Sequence, residues 1–241
     1  MVDAWRQQPR RELSRETDSM AVIGAAFDPL AGKRVLDVGC GAGVLARSLS
    51  AQGARVVGVD PNEQALALAR EAVPEGKFYR AGAQELPFAD RSFDGAVFLN
   101  SLHHVPEPGM HAALREAARV VKPGGNIVVI EPLATGSFFS VLRLAEDETR
   151  VRAAAQKAVG DALDGGTVEP VDRAEYVRRE RFADADQFLA RIIAVDPARA
   201  PVVDERRDEL VDAFRRHARR DAHGRWVLEQ PLRAHVFTAR S

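Results

Sequence analysis

Between residues 33 and 132, short continuous apolar runs alternate with amphipathic stretches, and that alternation leaves few folds open. "KRVLDV" (33–38), "ARVVGVD" (54–60), "KFYRAG" (77–82), "FDGAVFLN" (93–100) and "NIVVIEP" (126–132) read as strands: short, mostly apolar and bounded by turn residues. "GVLARSLSAQ" and "NEQALALAREAV" read as helices, the second with Asn62 as N-cap. After Gly109, the residues Met110, Ala113, Leu114, Ala117 and Val120 fall on one helical face before "KPGG" ends it. Strands apolar throughout are buried on both faces, which points to a parallel sheet covered by helices and joined by right-handed crossovers.

The rhythm stops after Pro132. Residues 136–163 read as a helical insertion running to the break at "DGGT", "EYVRRERF" as a further strand, "DADQFLARIIAV" as a helix and "VVDERRDELVDAFRRHARR" as one longer charged helix. The final "RWVLEQPLRAHVFTAR" reads as two short strands, or one strand broken at Pro231. At 241 residues the expectation is a single domain. It comprises an N-terminal helical cap (1–32), a core (33–132), a helical insertion (133–175) and C-terminal helices and strands that complete the sheet (176–241).

Apolar residues make up 46% of the chain and charged residues 29%, which excludes a disordered or collagen-like chain. The net charge of −1 gives no bulk electrostatic reason to expect nucleic acid. From Asp172 to Arg225, 13 arginines are interspersed with 12 acidic residues, so the single-sign footprint that phosphate binding needs is missing. Cys40 is the single cysteine, no apolar stretch approaches the length of a membrane span, and the first twenty residues lack an apolar targeting core. These features predict a cytoplasmic protein without membrane insertion.

Within the first strand Asp37 interrupts an apolar run, and "GCGAG" (39–43) follows at once. In an open parallel sheet, ligands bind beyond the carboxyl ends of the strands where strand order reverses, and a glycine turn there lets main chain approach the ligand. Asp60, ending the second strand, is placed to accept hydrogen bonds from a ribose diol. Two cofactor classes use this geometry, dinucleotides and S-adenosylmethionine. The dinucleotide pattern G-x-G-x-x-G is not satisfied, because the sixth position is Val44 counted from Gly39 and Ala46 counted from Gly41; with alanine allowed there, the reading stays open.

Four linked motifs, "VLDVGCGAG", "VVGVDPN", "AGAQELPFADRSFDGAVFLNSLHHV" and "RVVKPGGNIVVIEP", resemble in order and spacing the class I S-adenosylmethionine-dependent methyltransferases. Within these the chain is most similar to the small-molecule branch that includes ubiquinone and menaquinone biosynthesis-type enzymes. The resemblance covers about residues 33–132. It implies a Rossmann-like α/β fold: a seven-stranded, mostly parallel sheet with helices on both faces, helical lid insertions and the last strand antiparallel. It also implies roles. Gly39, Cys40 and Gly41 would pass under the amino-acid part of the cofactor, with Asp37 fixing that loop or meeting the ammonium through water. Asp60 would take the ribose hydroxyls, Pro61 and Asn62 would flank the adenine, Gly82, Ala83 and Gln84 would lie at its edge, and Leu99 and Asn100 would face the methionine portion.

Methyl transfer from a sulfonium is an in-line displacement whose leaving group departs neutral, so alignment supplies much of the acceleration. A base helps when the acceptor must lose a proton. His103 and His104, after the fourth strand, and Glu131, at the end of the fifth, are the candidates; as alternatives they shape the pocket or hold a loop. His111, His217, His223 and His235 form no recognisable ligand cluster, so no metal site is expected. The fourth-strand exit "LNSLHH" lacks the Asn- or Asp-Pro-Pro-aromatic motif of amino-methylating DNA enzymes. The acceptor site is expected from variable parts: Trp5, Phe27, "GSFFSVLRL", "QFLARII" and Trp226, with Phe138 and Phe139 either closing over the acceptor or packing in a core. The reading is transfer of a methyl group from S-adenosylmethionine to a small molecule, with O- or C-methylation ahead of N-methylation. A nicotinamide-dependent oxidoreductase and a cofactor-binding regulatory protein without turnover are the alternatives.

Overall fold

The computed structural model describes residues 11–12 and 18–239 of the chain; Trp5 lies outside them. A two-residue strand, β1 (Arg11–Glu12), precedes α1 (Ser19–Ala26), which is capped by the Asp18 carboxylate accepting the Ala21 N–H at 2.8 Å. The alternation then unfolds as β2 (Arg34–Val38), α2 (Val44–Ala51), β3 (Arg55–Asp60), α3 (Glu63–Ala72), β4 (Lys77–Arg80), β5 (Phe93–Leu99), α4 (Met110–Val120) and β6 (Val121–Pro132). There follow α5 (Ser137–Leu142), α6 (Thr149–Asp164), β7 (Val168–Phe182), α7 (Ala185–Val195), α8 (Ala200–Glu205), α9 (Arg207–His217), β8 (Arg219–Arg220) and β9 (Trp226–Ala239).

Sheet order is β1-β7-β9-β6-β5-β2-β3-β4, with β8 beside β9. The seven long strands make the mostly parallel, Rossmann-like sheet expected, with its last strand antiparallel, and two dipeptide strands extend it. β2 sits between β3 and β5, parallel to both, with Asp37 opposite Gly58 on one side and Val97 on the other. Strand order reverses between β2 and β5. The connections leaving their carboxyl ends diverge there, which opens a crevice at the glycine turn.

By packing, the chain divides into two compact units. The first takes in the chain through Glu131 together with Ala154–Tyr176 and the segment from Arg233 onward. Its core is the two-faced apolar sheet, with Leu36, Val57, Phe98, Ile127 and Val129 packed under Leu114, Ala117 and Val159 of the helices. Phe27, 1% exposed, lies against Gly95, where a Cβ would come within 2.2 Å of its ring; only glycine leaves room for that phenylalanine.

The second unit takes in Pro132–Ala153 and Val177–Leu232. Its core gathers Phe138, Phe139, Phe182, Phe188, Leu210 and Phe214. Phe138 packs edge-on to Phe188 (5.4 Å), and the Arg152 guanidinium lies 4.4 Å above the Phe139 ring, so both phenylalanines serve this core. Trp226 packs against Phe214 (5.9 Å). A buried ion network runs through the unit. Glu148 accepts from Arg152 Nε (2.9 Å) and from Arg199 Nη2 (2.7 Å), and Gln230 donates to the Leu133 carbonyl (2.8 Å).

Five stretches differ from the sequence expectation: the N-terminal cap expected to be helical carries the strand β1, β6 starts at Val121, ahead of the strand expected from Asn126, and three others lie after Pro132. The charged C-terminal helix is two helices, because Arg206 leaves helical geometry (φ −107°, ψ 22°) and its guanidinium turns to Glu209 and the Leu144 carbonyl. β9 runs unbroken through Pro231; the ring seats against Gly136, and the Pro231 carbonyl accepts the Leu133 N–H at 2.9 Å. β7 begins at Val168, seven residues ahead of "EYVRRERF", so the insertion expected to be helical through 175 ends as strand.

Candidate functional site

The glycine turn is built by main chain. β2 ends at Val38, and the N–H groups of Gly39 and Cys40 both donate to the Val59 carbonyl, at 2.8 and 3.0 Å. Gly39 has φ +76°, and a Cβ there would lie 2.5 Å from the Cβ of Ser101. Both restrictions exclude a side chain. Ser101 Oγ donates to the Val38 carbonyl at 2.6 Å, so the loop leaving β5 is fastened to the turn leaving β2. Cys40 is buried, and burial, aided by Asp37 and Asp60, holds its thiol far above the ordinary range. It contributes main chain to the turn, and a nucleophilic thiolate is disfavoured.

Two carboxylates flank the turn. Asp37 is 2% exposed, and its Oδ2 has no hydrogen-bond partner. Burial, reinforced by the nearby Asp60 charge and opposed by the Ala46 N–H, pushes its pKa up to about 7. Asp60 ties the turn to the next loop, accepting the Gly41 N–H on Oδ2 and the Asn62 N–H on Oδ1, each at 2.9 Å. Asn62 in turn caps α3, accepting from the N–H groups of Gln64 (3.0 Å) and Ala65 (3.3 Å). Pro61 and Asn62 are exposed beside it. In the loop after β4, Gly82 and Ala83 are half-buried and Gln84 is exposed, with the Gln84 side-chain amide folded over Gly82.

The loop after β5 carries the remaining candidates. Leu99 and Asn100 are half-buried; Asn100 adopts φ +53°, its N–H donates to the Ile130 carbonyl (2.8 Å), and its buried Oδ1 has no partner. Glu131, 1% exposed, is committed to this loop. Its Oε1 accepts the N–H groups of Ser101 (3.0 Å) and Leu102 (2.8 Å), and its Oε2 pairs with His103 Nδ1. His103 is buried, whereas His104 is exposed, with the two rings 4.0 Å apart.

The structure therefore brings together Asp37, residues 39–41, Asp60 and Ser101. It binds Glu131 and His103 to each other. Sequence reasoning missed Ser101, which lies inside a quoted motif but carries no residue-type signal. Among the described residues no group of three or more His, Cys, Asp or Glu is placed to hold a metal ion.

A family model described as "Methyltransferase domain" matches residues 35–125, the segment that builds this crevice. A ubiquinone biosynthesis O-methyltransferase from Ralstonia nicotianae is 33% identical over 175 residues, covering 70% of this chain and 66% of that protein. The chain belongs to the S-adenosylmethionine-dependent methyltransferases. Another of these enzymes, the ubiquinone biosynthesis O-methyltransferase of Alkalilimnicola ehrlichii, is 40% identical over 111 residues, 44% of each protein. The chain thus spans less than half the length of that relative. An S-adenosylmethionine-dependent methyltransferase from Methanosarcina mazei shares the fold at a TM-score of 0.55 and 19% identity, covering 91% of this chain and 98% of that one.

The family's cofactor is S-adenosylmethionine. The residues of this chain fit it on their own geometry. A cationic amino acid and a ribose diol call for acceptors, and the crevice carries two buried oxygens without partners, Asp37 Oδ2 and Asn100 Oδ1. Buried polar atoms are nearly always paired, so two such acceptors at one rim point to a donor-bearing ligand.

Proposed function

We propose that this chain transfers a methyl group from S-adenosylmethionine to a hydroxyl of a small molecule, with C-methylation as the second choice. The observation that carries the proposal is the unpartnered Asp37 Oδ2 beside a glycine turn closed on Ser101. The curated relatives named for O-methylation in ubiquinone biosynthesis favour oxygen as the acceptor atom.

The cofactor, when bound, supplies an electrophilic methyl and a neutral leaving group. Asp37 and the 39–41 turn would hold its amino-acid end, with Asp37 ionised against the ammonium. Asp60 would accept from the ribose hydroxyls, since each of its oxygens keeps a second lone pair beyond the main-chain N–H it already takes. Pro61, Asn62, Gly82, Ala83 and Gln84 would enclose the adenine, and Leu99 and Asn100 the methionine chain. An acceptor hydroxyl must lose a proton as its oxygen attacks, and imidazole is the side chain suited to take it near neutral pH. We assign that role to His104, exposed on the rim with its ring tilted against that of His103. The pairing of Glu131 with His103 and two main-chain N–H groups supports a positioning role for both residues.

We further take the two packing units to work as one methyltransferase domain. No described helix is long and apolar enough to cross a membrane, and with the lone buried cysteine this favours a cytoplasmic setting.

Calorimetric titration with S-adenosylhomocysteine tests the cofactor assignment. Asp60→Ala removes charge-assisted hydrogen bonds, each worth roughly 1.5–3 kcal/mol, and is expected to weaken binding about ten- to a hundredfold. Unchanged affinity would remove Asp60 from the site. Heat with NADH and none with S-adenosylhomocysteine would replace the proposal with a nicotinamide-dependent one. A screen of small hydroxylated aromatics for a cofactor-dependent gain of one methyl mass identifies the acceptor.

A further inference from the structure

The loop between β4 and β5 carries "AGAQELPFAD", and little of it is held by regular structure. Its fixed points lie on the last turn of α4. Arg119 spreads its guanidinium over the loop: Nη1 donates to the Phe88 carbonyl (2.8 Å) and to Asp90 (2.7 Å), and Nη2 donates to the Leu86 carbonyl (3.0 Å). The same group is gripped from behind by Glu116, through Nε at 2.8 Å and Nη2 at 2.7 Å. Glu116 also accepts the Leu86 N–H at 2.9 Å, so the loop meets both members of the pair. The main chain closes the arrangement, with the Arg91 N–H on the Arg119 carbonyl (2.9 Å) and the Ser92 N–H on the Val120 carbonyl (2.7 Å).

This differs from an ordinary surface ion pair. Two carbonyls and two carboxylates are engaged at once by a planar fork, a geometry that lysine's single ammonium cannot reproduce. The guanidinium is one-third exposed, so its Coulombic contribution is screened; its directional bonds to the loop are what distinguish it.

What the clamp fixes lies just upstream. The Glu85 N–H bonds the Gly82 carbonyl (3.3 Å), which turns the chain so that Ala83 and Gln84 sit at the apex. Among the described residues, no hydrogen bond within the chain is made by the Ala83 or Gln84 N–H. The edge of adenine presents an acceptor at N1 and a donor at N6. Hypoxanthine presents the reverse, a donor at N1 and an acceptor at O6. A rigid main-chain N–H can therefore tell the two bases apart, whereas a mobile one adapts to either.

We propose that Arg119 is a positioning residue for base recognition: by fastening residues 86–90 to α4, it sets the N–H groups of Ala83 and Gln84 to select adenine over hypoxanthine. The proposal rests on the cofactor reading above.

The test is the ratio of dissociation constants for S-adenosylhomocysteine and S-inosylhomocysteine, measured by calorimetry on the full chain. Wild type is expected to prefer the adenine compound by roughly tenfold or more. Arg119→Met is expected to weaken S-adenosylhomocysteine about tenfold while leaving S-inosylhomocysteine within about twofold, so the preference collapses. Arg119→Lys and Glu116→Gln, milder changes for which folding is checked by near-ultraviolet circular dichroism, are expected to lower the ratio by a smaller factor. A general loss of structure would weaken both compounds alike and leave the ratio unmoved; that result, or an unchanged ratio in all three variants, overturns the proposal. A wild type that binds neither compound overturns the cofactor reading and this proposal with it, and is distinguished because it needs no variant.

Discussion

Replacing Asp37 with asparagine is expected to stabilise the unliganded chain at pH 8 by about 4 kcal/mol and to leave it nearly unchanged at pH 4. In the unfolded chain this carboxyl ionises near 3.8, and in the folded chain near 7, because it is buried beside Asp60. Between those values the folded chain keeps a proton that the unfolded chain has lost. The Asp37 contribution to stability therefore falls as pH rises through that window and levels off above it. His235 contributes the opposite slope: burial, with Arg173 and Arg233 nearby, lowers its pKa from 6.5 to about 3, so the stability tied to its neutral form is lost as pH falls. The total profile mixes the two. The difference between wild type and Asp37→Asn isolates Asp37, and denaturant titrations at pH 4, 6 and 8 measure it. Parallel profiles would show that Asp37 is ionised in the folded chain at no cost. Saturation with S-adenosylhomocysteine, whose ammonium matches an ionised Asp37, is expected to narrow the difference at pH 8.

Glu131→Ala is the second large effect. One buried carboxylate satisfies two main-chain N–H groups and the His103 ring, and its loss leaves three polar groups without that partner, two of them on the buried residues Leu102 and His103. Removing one member of such a buried arrangement costs about 3–5 kcal/mol, readable as a fall in the denaturation midpoint. The loop from Asn100 to His104 loses its anchor, and misplacement of about 1 Å at a reacting group costs on the order of 10²-fold in rate. Glu131→Gln separates anchoring from proton transfer. The amide oxygen still accepts the Ser101 and Leu102 N–H groups, so stability and methyl transfer are expected to stay close to wild type. A glutamine variant that folds normally yet loses turnover would make Glu131 the base itself, contrary to the positioning role proposed.

These two residues mark where the sequence stops being informative. Asp37 was legible as an acid in an apolar strand next to glycines, and Glu131 as an acid at a strand end. Which of them keeps an oxygen without a partner, and which spends both on the chain, depends on neighbours far along the sequence. Glu131 is bound to Ser101, thirty residues away, and Ser101 to Val38, sixty-three residues away. Arg119 reads in sequence as one more helical arginine; only the returning loop makes it a clamp.

The same division runs through the fold. Strand and helix order from residue 33 to 132, the glycine turn, the Asn62 cap and the acid closing β3 were determined by the sequence alone, because periodicity, capping and turn chemistry act over a few residues. Tertiary structure decided what those rules do not reach. It broke the charged helix at Arg206 and carried β9 through Pro231, whose ring meets Gly136 from ninety-five positions away. It also buried Asp37 beside Asp60, raising a carboxyl that residue type alone would leave ionised. The reason is common to all three: conformation at a special residue and charge at a buried one depend on what surrounds them, and only the folded chain supplies those surroundings.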